Sequence, residues 1–120
     1  MARILVIEDD AHVQATVRDL LNDAGHVVFV ASDGREGLAR YQEHHPDLVI
    51  TDIFMPERDG LAVILALEPT NAKIIAMSGG GSVDGGDYLD DAIHLGARGT
   101  LRKPFTAEAL VAAVDETLAA

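Results

Sequence analysis

Five short apolar runs recur along the chain, and the segments between them have the spacing of amphipathic helices. The runs are RILVI (3–7), HVVFVA (26–31), LVIT (48–51), KIIAM (73–77) and GTLR (99–102). Runs of this length without polar alternation are typical of strands buried on both faces, as parallel strands are. Five strands that alternate with five helices predict an α/β domain, in which one parallel sheet carries helices on both faces.

The intervening segments show apolar stripes that indicate helices. The first spans 11–25, with Asp10 as its N-cap and Gly25 as its stop. Its predicted buried stripe is Val13, Val17, Leu20, Leu21 and Ala24. The other helical segments are 33–45, 60–68, 88–97 and 106–120, with Leu89, Ala92 and Ile93 on one face of the fourth and Thr106 as N-cap of the fifth.

Length and composition exclude several classes of protein. The 120 residues predict one domain over 1–120, and twenty acids against nine Lys and Arg give a net charge of −11, which disfavours nucleic-acid binding. There is no cysteine, so disulfides and thiolate metal sites are excluded. The opening MARILVIEDD is too short for a signal peptide or a membrane span. A cytoplasmic protein with no membrane partner is the simplest expectation.

Polar side chains follow four of the predicted strands. Glu8, Asp9 and Asp10 follow strand one, Asp52 strand three, Ser78 strand four and Lys103 strand five. Because ligands of open parallel sheets bind beyond the carboxyl ends of the strands, we expect these groups to converge. Two carboxylates about 4 Å apart repel by roughly 4 kcal/mol at an effective dielectric near 20, so a cation such as Mg²⁺ is expected among them.

Taken one at a time, these residues indicate little. Ser78 alone is a turn serine, Lys103 alone a surface lysine, and Asp52 alone a residue at a strand end. Their shared placement at one edge of the sheet favours a site for an aspartyl phosphate, with an Asp nucleophile, a metal, a lysine and a hydroxyl.

The segment SGGGSVDGG (78–86) suggests a phosphate-binding loop at first sight. However, no Lys-Ser/Thr pair follows its glycines, and no G-x-G-x-x-G register fits. We therefore interpret everything after Ser78 as a connection to the fourth helix rather than as a phosphate-binding loop.

Taken together, the motifs resemble those of the receiver domain of two-component response regulators. The resemblance covers essentially the whole chain and rests on ILVIEDD, TDIFMPERDG, IIAMSG and GTLRKPF in that order. It implies a doubly wound, flavodoxin-like five-stranded parallel sheet of order 2-1-3-4-5 with helices on both faces. It also implies a signalling switch that takes a phosphoryl group from a sensor histidine kinase or a histidine phosphotransfer protein.

The resemblance assigns roles residue by residue. Asp52 resembles the phosphoacceptor, Asp9 the direct metal ligand and Glu8 its acidic companion that acts through water. The backbone carbonyl of Phe54 would complete the protein's share of the shell of Mg²⁺, with Mn²⁺ as a substitute. Lys103 would neutralise the phosphoryl group, and Ser78 would hydrogen-bond it on activation.

Further positions belong to the family's switch and loop. Lys103–Pro104 resembles the family's cis peptide, and Gly79 keeps small the position beside the acceptor. Gly80 and Phe54 stand where the family influences dephosphorylation, and neither offers a side chain that handles protons. Thr100 replaces the usual aromatic switch residue, so any coupling must use a smaller side chain or the loop itself.

The resemblance also bears on partners. The signal would pass to a downstream protein by contact or phosphorelay, through the strand 4–helix 4 loop and the face formed by helix 4, strand 5 and helix 5. A monomer or a weak phosphorylation-dependent dimer is expected, without turnover of a separate substrate. Two alternatives stay open at this stage: an Asp-nucleophile phosphatase or phosphotransferase on a related fold, and a receiver-like interaction module that is never phosphorylated.

Overall fold

The computed structural model describes residues 1–53, 59–79 and 88–120, without the side chains of 59, 88 and 89, and over these ranges strands and helices alternate as predicted. The strands are β1 (Arg3–Ile7), β2 (Val27–Ala31), β3 (Leu48–Asp52), β4 (Ile74–Ser78) and β5 (Gly99–Arg102). The α-helices are α1 (Ala11–Asp23), α2 (Gly34–His44), α3 (Asp59–Leu67), α4 (Tyr88–Leu95) and α5 (Ala107–Ala119), and a short 3-10 turn (Glu68–Thr70) follows α3.

The sheet is parallel throughout, with the order β2-β1-β3-β4-β5. The doubly wound fold and the predicted strand order are therefore confirmed. Strand order reverses between β1 and β3, which pair directly, with Ile7 opposite Thr51. In such sheets this reversal opens a crevice at the carboxyl ends of the strands.

Two apolar layers, one on each face of the sheet, hold the fold together. On one face, side chains of β1, β3 and β4 pack against α1 and α5 through residues such as Val17, Leu21, Leu110 and Val114. On the other face they pack against α2, α3 and α4. In the described parts of the chain no helix combines the length and apolar character needed to cross a membrane.

The strands differ in burial according to their position in the sheet. Every residue of β3 and β4 is buried, as predicted. The edge strands β2 and β5 are only partly buried, and Val27 is 40% exposed. The expectation that all five runs are buried on both faces is therefore wrong for the two edges, because an edge strand has a neighbour on one side only.

The helix ends agree with the predicted caps. The Asp10 side chain accepts hydrogen bonds from the backbone N–H groups of His12 and Val13, and the Thr106 side chain accepts one from that of Ala109. Two predicted stripe residues are exposed instead. Ala24 lies at the C-cap of α1, beyond the buried face, and Ile93 on α4 is 45% exposed while its neighbour Ala92 is buried.

Candidate functional site

Three carboxylates meet at the carboxyl edge of the sheet. Glu8 and Asp9 directly follow β1, and Asp52 is the last residue of β3, one position further into the strand than predicted. One oxygen from each of the three lies within 4.8 Å of the others. Glu8 is fully buried and Asp52 is 4% exposed, whereas Asp9 is exposed. The predicted convergence is therefore present, with one acid open to solvent.

Lys103 joins two of these acids. Its Nζ donates to Glu8 Oε1 at 2.5 Å and to Asp52 Oδ2 at 2.9 Å. Lys103 directly follows β5, and its backbone N–H donates to the carbonyl of Ser78 at 2.7 Å. Because that bond ties the end of β5 to the end of β4, Ser78 and Lys103 are held next to each other. Ser78 is itself the last residue of β4 and is 6% exposed.

Burial and neighbouring charges shift the ionisation of this cluster. Burial raises the pKa of Glu8 to about 7, and the charge of Asp52 adds to the rise, although hydrogen bonds from Lys103 and from the Asp10 backbone oppose it. Burial also disfavours the charge of Lys103, but its hydrogen bonds to Glu8 and Asp52 outweigh that effect and raise the Lys103 pKa. The lysine therefore stays charged while Glu8 lies close to its titration at neutral pH.

The end of β3 is fixed by its contacts with α3. A Cβ atom on Gly60 would collide with the Asp52 carbonyl oxygen and with Ile53 Cα, so only glycine lets α3 approach the strand this closely. The Thr51 hydroxyl donates to the same carbonyl at 3.1 Å. The backbone of the predicted acceptor is thus held independently of its carboxylate.

Sequence reasoning missed one residue that contacts this region. Gln14 Nε2, in α1, donates to the carbonyl oxygens of Glu8 and Ala31, each at 3.0 Å. The sequence offered only a glutamine one turn after the predicted N-cap Asp10, and the structure shows that this position is half-buried. Such a residue is ordinarily read as facing solvent.

Of the remaining predicted positions, the structure describes some, and others lie outside the described residues. Lys103–Pro104 is a cis peptide, as predicted. Thr100 is exposed on β5, opposite Ala76 in the register, so this position does not point into the core. A Cβ on Gly79 would meet no atom of the described residues within 4 Å, so those residues do not by themselves require glycine at this position. Phe54 and Gly80 lie outside the described residues, as does the connection after Gly79.

On the face formed by α4, β5 and α5, the side chains of His94, Arg98 and Arg102 are exposed. Arg98 donates to Asn71 Oδ1 at 2.5 Å. The side chain of Tyr88, the first residue of α4, is outside the described part of the chain.

The acid cluster fits a hard divalent cation. Its donors are carboxylate oxygens, the ligands that Mg²⁺ and Mn²⁺ prefer, and they lie close enough to share one ion. The exposure of Asp9 opens the cluster to water, which Mg²⁺ retains in its coordination shell.

Comparison with known proteins identifies the domain. A family model described as the response regulator receiver domain matches residues 4–115. The chain belongs to the response regulator receiver family. It is 36% identical over 119 residues to chemotaxis protein CheY of Bacillus subtilis, covering 97% of both chains. It is also 36% identical to transcriptional regulatory protein PrrA of Mycobacterium tuberculosis, covering 97% of this chain but 49% of that protein.

Solved structures give the same result. A response regulator receiver domain from Clostridium thermocellum superposes with a TM-score of 0.89 at 32% identity, covering 99% of this chain and 95% of that one. NtrX from Brucella abortus superposes with a TM-score of 0.88 at 30% identity, covering 98% of this chain but 26% of that one. The receiver fold therefore occurs in these similar proteins both as nearly the whole chain and as part of a longer one.

The family resemblance read from the sequence is thereby confirmed, and the chain is assigned to two-component signalling. Receiver domains as a family interact with histidine kinases and with downstream targets.

Proposed function

We propose that this receiver domain is a phosphoaccepting switch in which Asp52 takes a phosphoryl group from a phosphohistidine. The donor would be a sensor histidine kinase or a histidine phosphotransfer protein. One observation carries the proposal: Lys103 Nζ lies 2.9 Å from Asp52 Oδ2, inside a cluster of three acids at the point where strand order reverses. A lysine that already binds the buried Asp52 carboxylate is positioned to stabilise the negative charge of a phosphoryl group on that residue.

In the proposed transfer, an Asp52 carboxylate oxygen attacks the phosphorus in line with the leaving imidazole. The Asp52 oxygen–phosphorus bond forms and the donor's phosphorus–nitrogen bond breaks. Lys103 already donates to Asp52, so a small movement lets it donate to a phosphoryl oxygen instead. The Ser78 hydroxyl, held beside Lys103 by the β4–β5 backbone bond, is the second donor we assign to the phosphoryl group.

Asp9, Asp52 and Glu8 would hold Mg²⁺, with the Phe54 carbonyl as a further ligand and Mn²⁺ as a substitute. When bound, the cation supplies positive charge against the phosphoryl oxygens in the transition state. Glu8 is shared with Lys103, so it would act on the metal through water rather than directly.

The response to phosphorylation would begin at Ser78 and pass into the segment after it. Phosphorylation adds negative charge and strong acceptor oxygens, which attract the Ser78 hydroxyl and the Lys103 ammonium. The surface of α4, β5 and α5 would then present the change to a downstream protein or to the next protein of a phosphorelay. The domain would carry one phosphoryl group and would not turn over a separate substrate.

The proposal is tested by incubating the protein with acetyl phosphate, with Mg²⁺ or with EDTA, and measuring intact mass. We expect a gain of one phosphoryl group that requires Mg²⁺ and is abolished in Asp52→Asn. Asp47→Asn is the matched control, because Asp47 precedes β3 at the opposite end and its side chain accepts only from the Arg3 backbone among the hydrogen bonds described. The control should gain the phosphoryl group like the wild type.

Each other outcome has a defined meaning. No mass gain in the wild type would contradict the proposal and favour an unphosphorylated interaction module. A gain that persists in Asp52→Asn would place the acceptor elsewhere. Continuous release of phosphate over many equivalents from varied phosphomonoesters would favour the phosphatase alternative.

A further inference from the structure

Gln14 connects the loop that carries the acids to two other parts of the fold. Its amide donates to the Glu8 carbonyl at the end of β1 and to the Ala31 carbonyl at the end of β2, each at 3.0 Å. Both acceptors are carbonyl oxygens, which cannot donate, so the nitrogen of the amide must face them. The orientation of the side chain is therefore determined by its partners.

These bonds complete a set of contacts around Glu8. The Glu8 N–H donates to the same Ala31 carbonyl at 3.0 Å, and Glu8 Oε2 accepts from the Asp10 N–H at 3.1 Å. The Glu8 backbone is thus held on its N–H side by β2 and on its carbonyl side by α1, while its carboxylate is held by Asp10 and Lys103. Asp9 lies between Glu8 and Asp10, so the direction of its carboxylate depends on how those two neighbours are held.

We infer that Gln14 is a positioning residue for the metal site: it fixes the Glu8–Asp10 backbone so that Glu8 and Asp9 face Asp52. This inference rests on the proposed Mg²⁺ role of the site. Gln14 touches neither the metal nor the phosphoryl group, and acts through the Glu8 carbonyl. Groups that orient metal ligands in this way typically change metal affinity about 10- to 100-fold when they are removed.

A purely structural role for Gln14 is the competing interpretation. α1 is already anchored by buried Val17 and Leu21 and by the Asp10 cap, so the helix does not need Gln14 in order to form. Loss of the amide should therefore alter the loop more than the global stability. Metal affinity and local amide exchange distinguish the two interpretations.

The test compares Gln14→Met, which keeps the length of the side chain and removes both donors, with Arg18→Met as control. Arg18 lies one turn further along α1 and bonds only Asp19 among the described contacts. Mn²⁺ binding is followed by electron paramagnetic resonance and Mg²⁺ binding by calorimetry, both without phosphodonor. We expect Gln14→Met to bind either ion about tenfold more weakly, Arg18→Met to bind normally, and Gln14→Arg, which restores donors, to recover most of the loss.

A second measurement needs no metal. Hydrogen exchange of the Asp10 amide, which reports the bond to Glu8 Oε2, should be about fivefold faster in Gln14→Met and unchanged in Arg18→Met. Gln14→Leu provides a second donorless variant if Gln14→Met does not fold. Unchanged metal affinity and unchanged Asp10 exchange in a folded donorless variant would overturn the inference.

The outcomes also separate this inference from the proposed function. A wild type that takes no phosphoryl group, yet binds Mn²⁺ more tightly than Gln14→Met, would overturn the switch and leave the role of Gln14 standing. A wild type that is phosphorylated, with Gln14→Met binding Mn²⁺ equally well, would do the reverse.

Discussion

The strands of the sheet begin at one edge, the amino edge, and end at the opposite one, the carboxyl edge. Aspartate and lysine side chains occur at both, but they bind different partners. At the amino edge, Asp47 precedes β3 and accepts from the Arg3 backbone N–H at 2.8 Å, and Lys73 precedes β4 and donates to the Leu118 carbonyl at 2.6 Å. At the carboxyl edge, Lys103 and Asp52 bind each other, with Glu8 as a third partner. In the first case each charge is bound to backbone, and in the second the side-chain charges are bound together.

This difference shows what makes one edge a site. A charge bound to a backbone group closes a strand or helix end and is already stabilised. The described cluster at the carboxyl edge brings three carboxyl groups together with one ammonium group, so acids outnumber the base there. The carboxyl edge can therefore gain from a cation or from rearrangement around a phosphoryl group, whereas Asp47 and Lys73 stabilise the fold where they are.

The largest expected effect is on the phosphorylation rate, when each of the two lysines of the chain is replaced separately by methionine. Lys103→Met should slow Mg²⁺-dependent phosphorylation by acetyl phosphate about 10²- to 10³-fold, because a donor to the developing charge is lost. Lys73→Met removes a lysine of the amino edge and should leave that rate unchanged. Rates are measured by intact mass against time, and equal rates in the two variants would erase the functional difference between the edges.

The next effect is a pH dependence of stability that originates at the carboxyl edge. The folded pKa of Glu8, about 7, lies above its ordinary 4.5, so the folded state holds a proton that the unfolded state releases. In EDTA, the free energy of unfolding should therefore fall by about 2–3 kcal/mol as pH rises from about 4.5 to about 7. Lys103, whose pKa is raised, stays protonated throughout this window. Urea denaturation at about pH 5 and about pH 8 measures the fall.

Glu8→Gln is the variant that tests this origin, because an amide does not titrate. It should lose most of the fall, while Asp47→Asn, at the amino edge, should keep it. If Glu8→Gln shows the same pH dependence as the wild type, the dependence arises from another part of the molecule.

The smallest expected effect is a loss of stability when either of two glycines, one at each edge, is replaced by alanine. Gly60→Ala places a methyl group against the Asp52 carbonyl and Ile53 Cα, and should cost about 2 kcal/mol of stability and slow phosphorylation. Gly25, at the amino edge, has φ of +94°, and no described atom lies within 4 Å of an added Cβ, so Gly25→Ala should cost about 1 kcal/mol through backbone strain alone. Chemical denaturation and phosphorylation rates are measured for both. Slowed phosphorylation in Gly25→Ala would show that the effect is not local to Asp52.

Some features of the fold and of the site could be predicted from the sequence because they depend on residues that are close together in the chain. Asp10 and Thr106 cap their helices because a short polar side chain before an apolar stripe satisfies the first backbone N–H groups. Asp52, Ser78 and Lys103 stand at strand ends, and parallel strands bring their carboxyl ends to one edge. The cis bond before Pro104 came from family resemblance alone, since nothing in the local sequence requires it.

Other parts depended on which surfaces face each other. The exposure of Val27 follows from the edge position of β2, and the exposure of Ile93 from the side of α4 that meets the sheet. Phe54 and Gly80 lie outside the described residues, so their roles stay predictions.

By itself, the sequence determined the α/β class, the receiver family and the acids, hydroxyl and lysine that come together, because alternation of elements and strand-end placement are properties of chain order. Only the tertiary structure decided how charge is shared among them. Burial of Glu8 and Asp52, exposure of Asp9, the lysine bound to two acids and the Gln14 amide on the Glu8 carbonyl all depend on distances between segments far apart in the chain. Electrostatic energies and desolvation depend on those distances and on how deeply each group is buried, so they could not be predicted from the sequence.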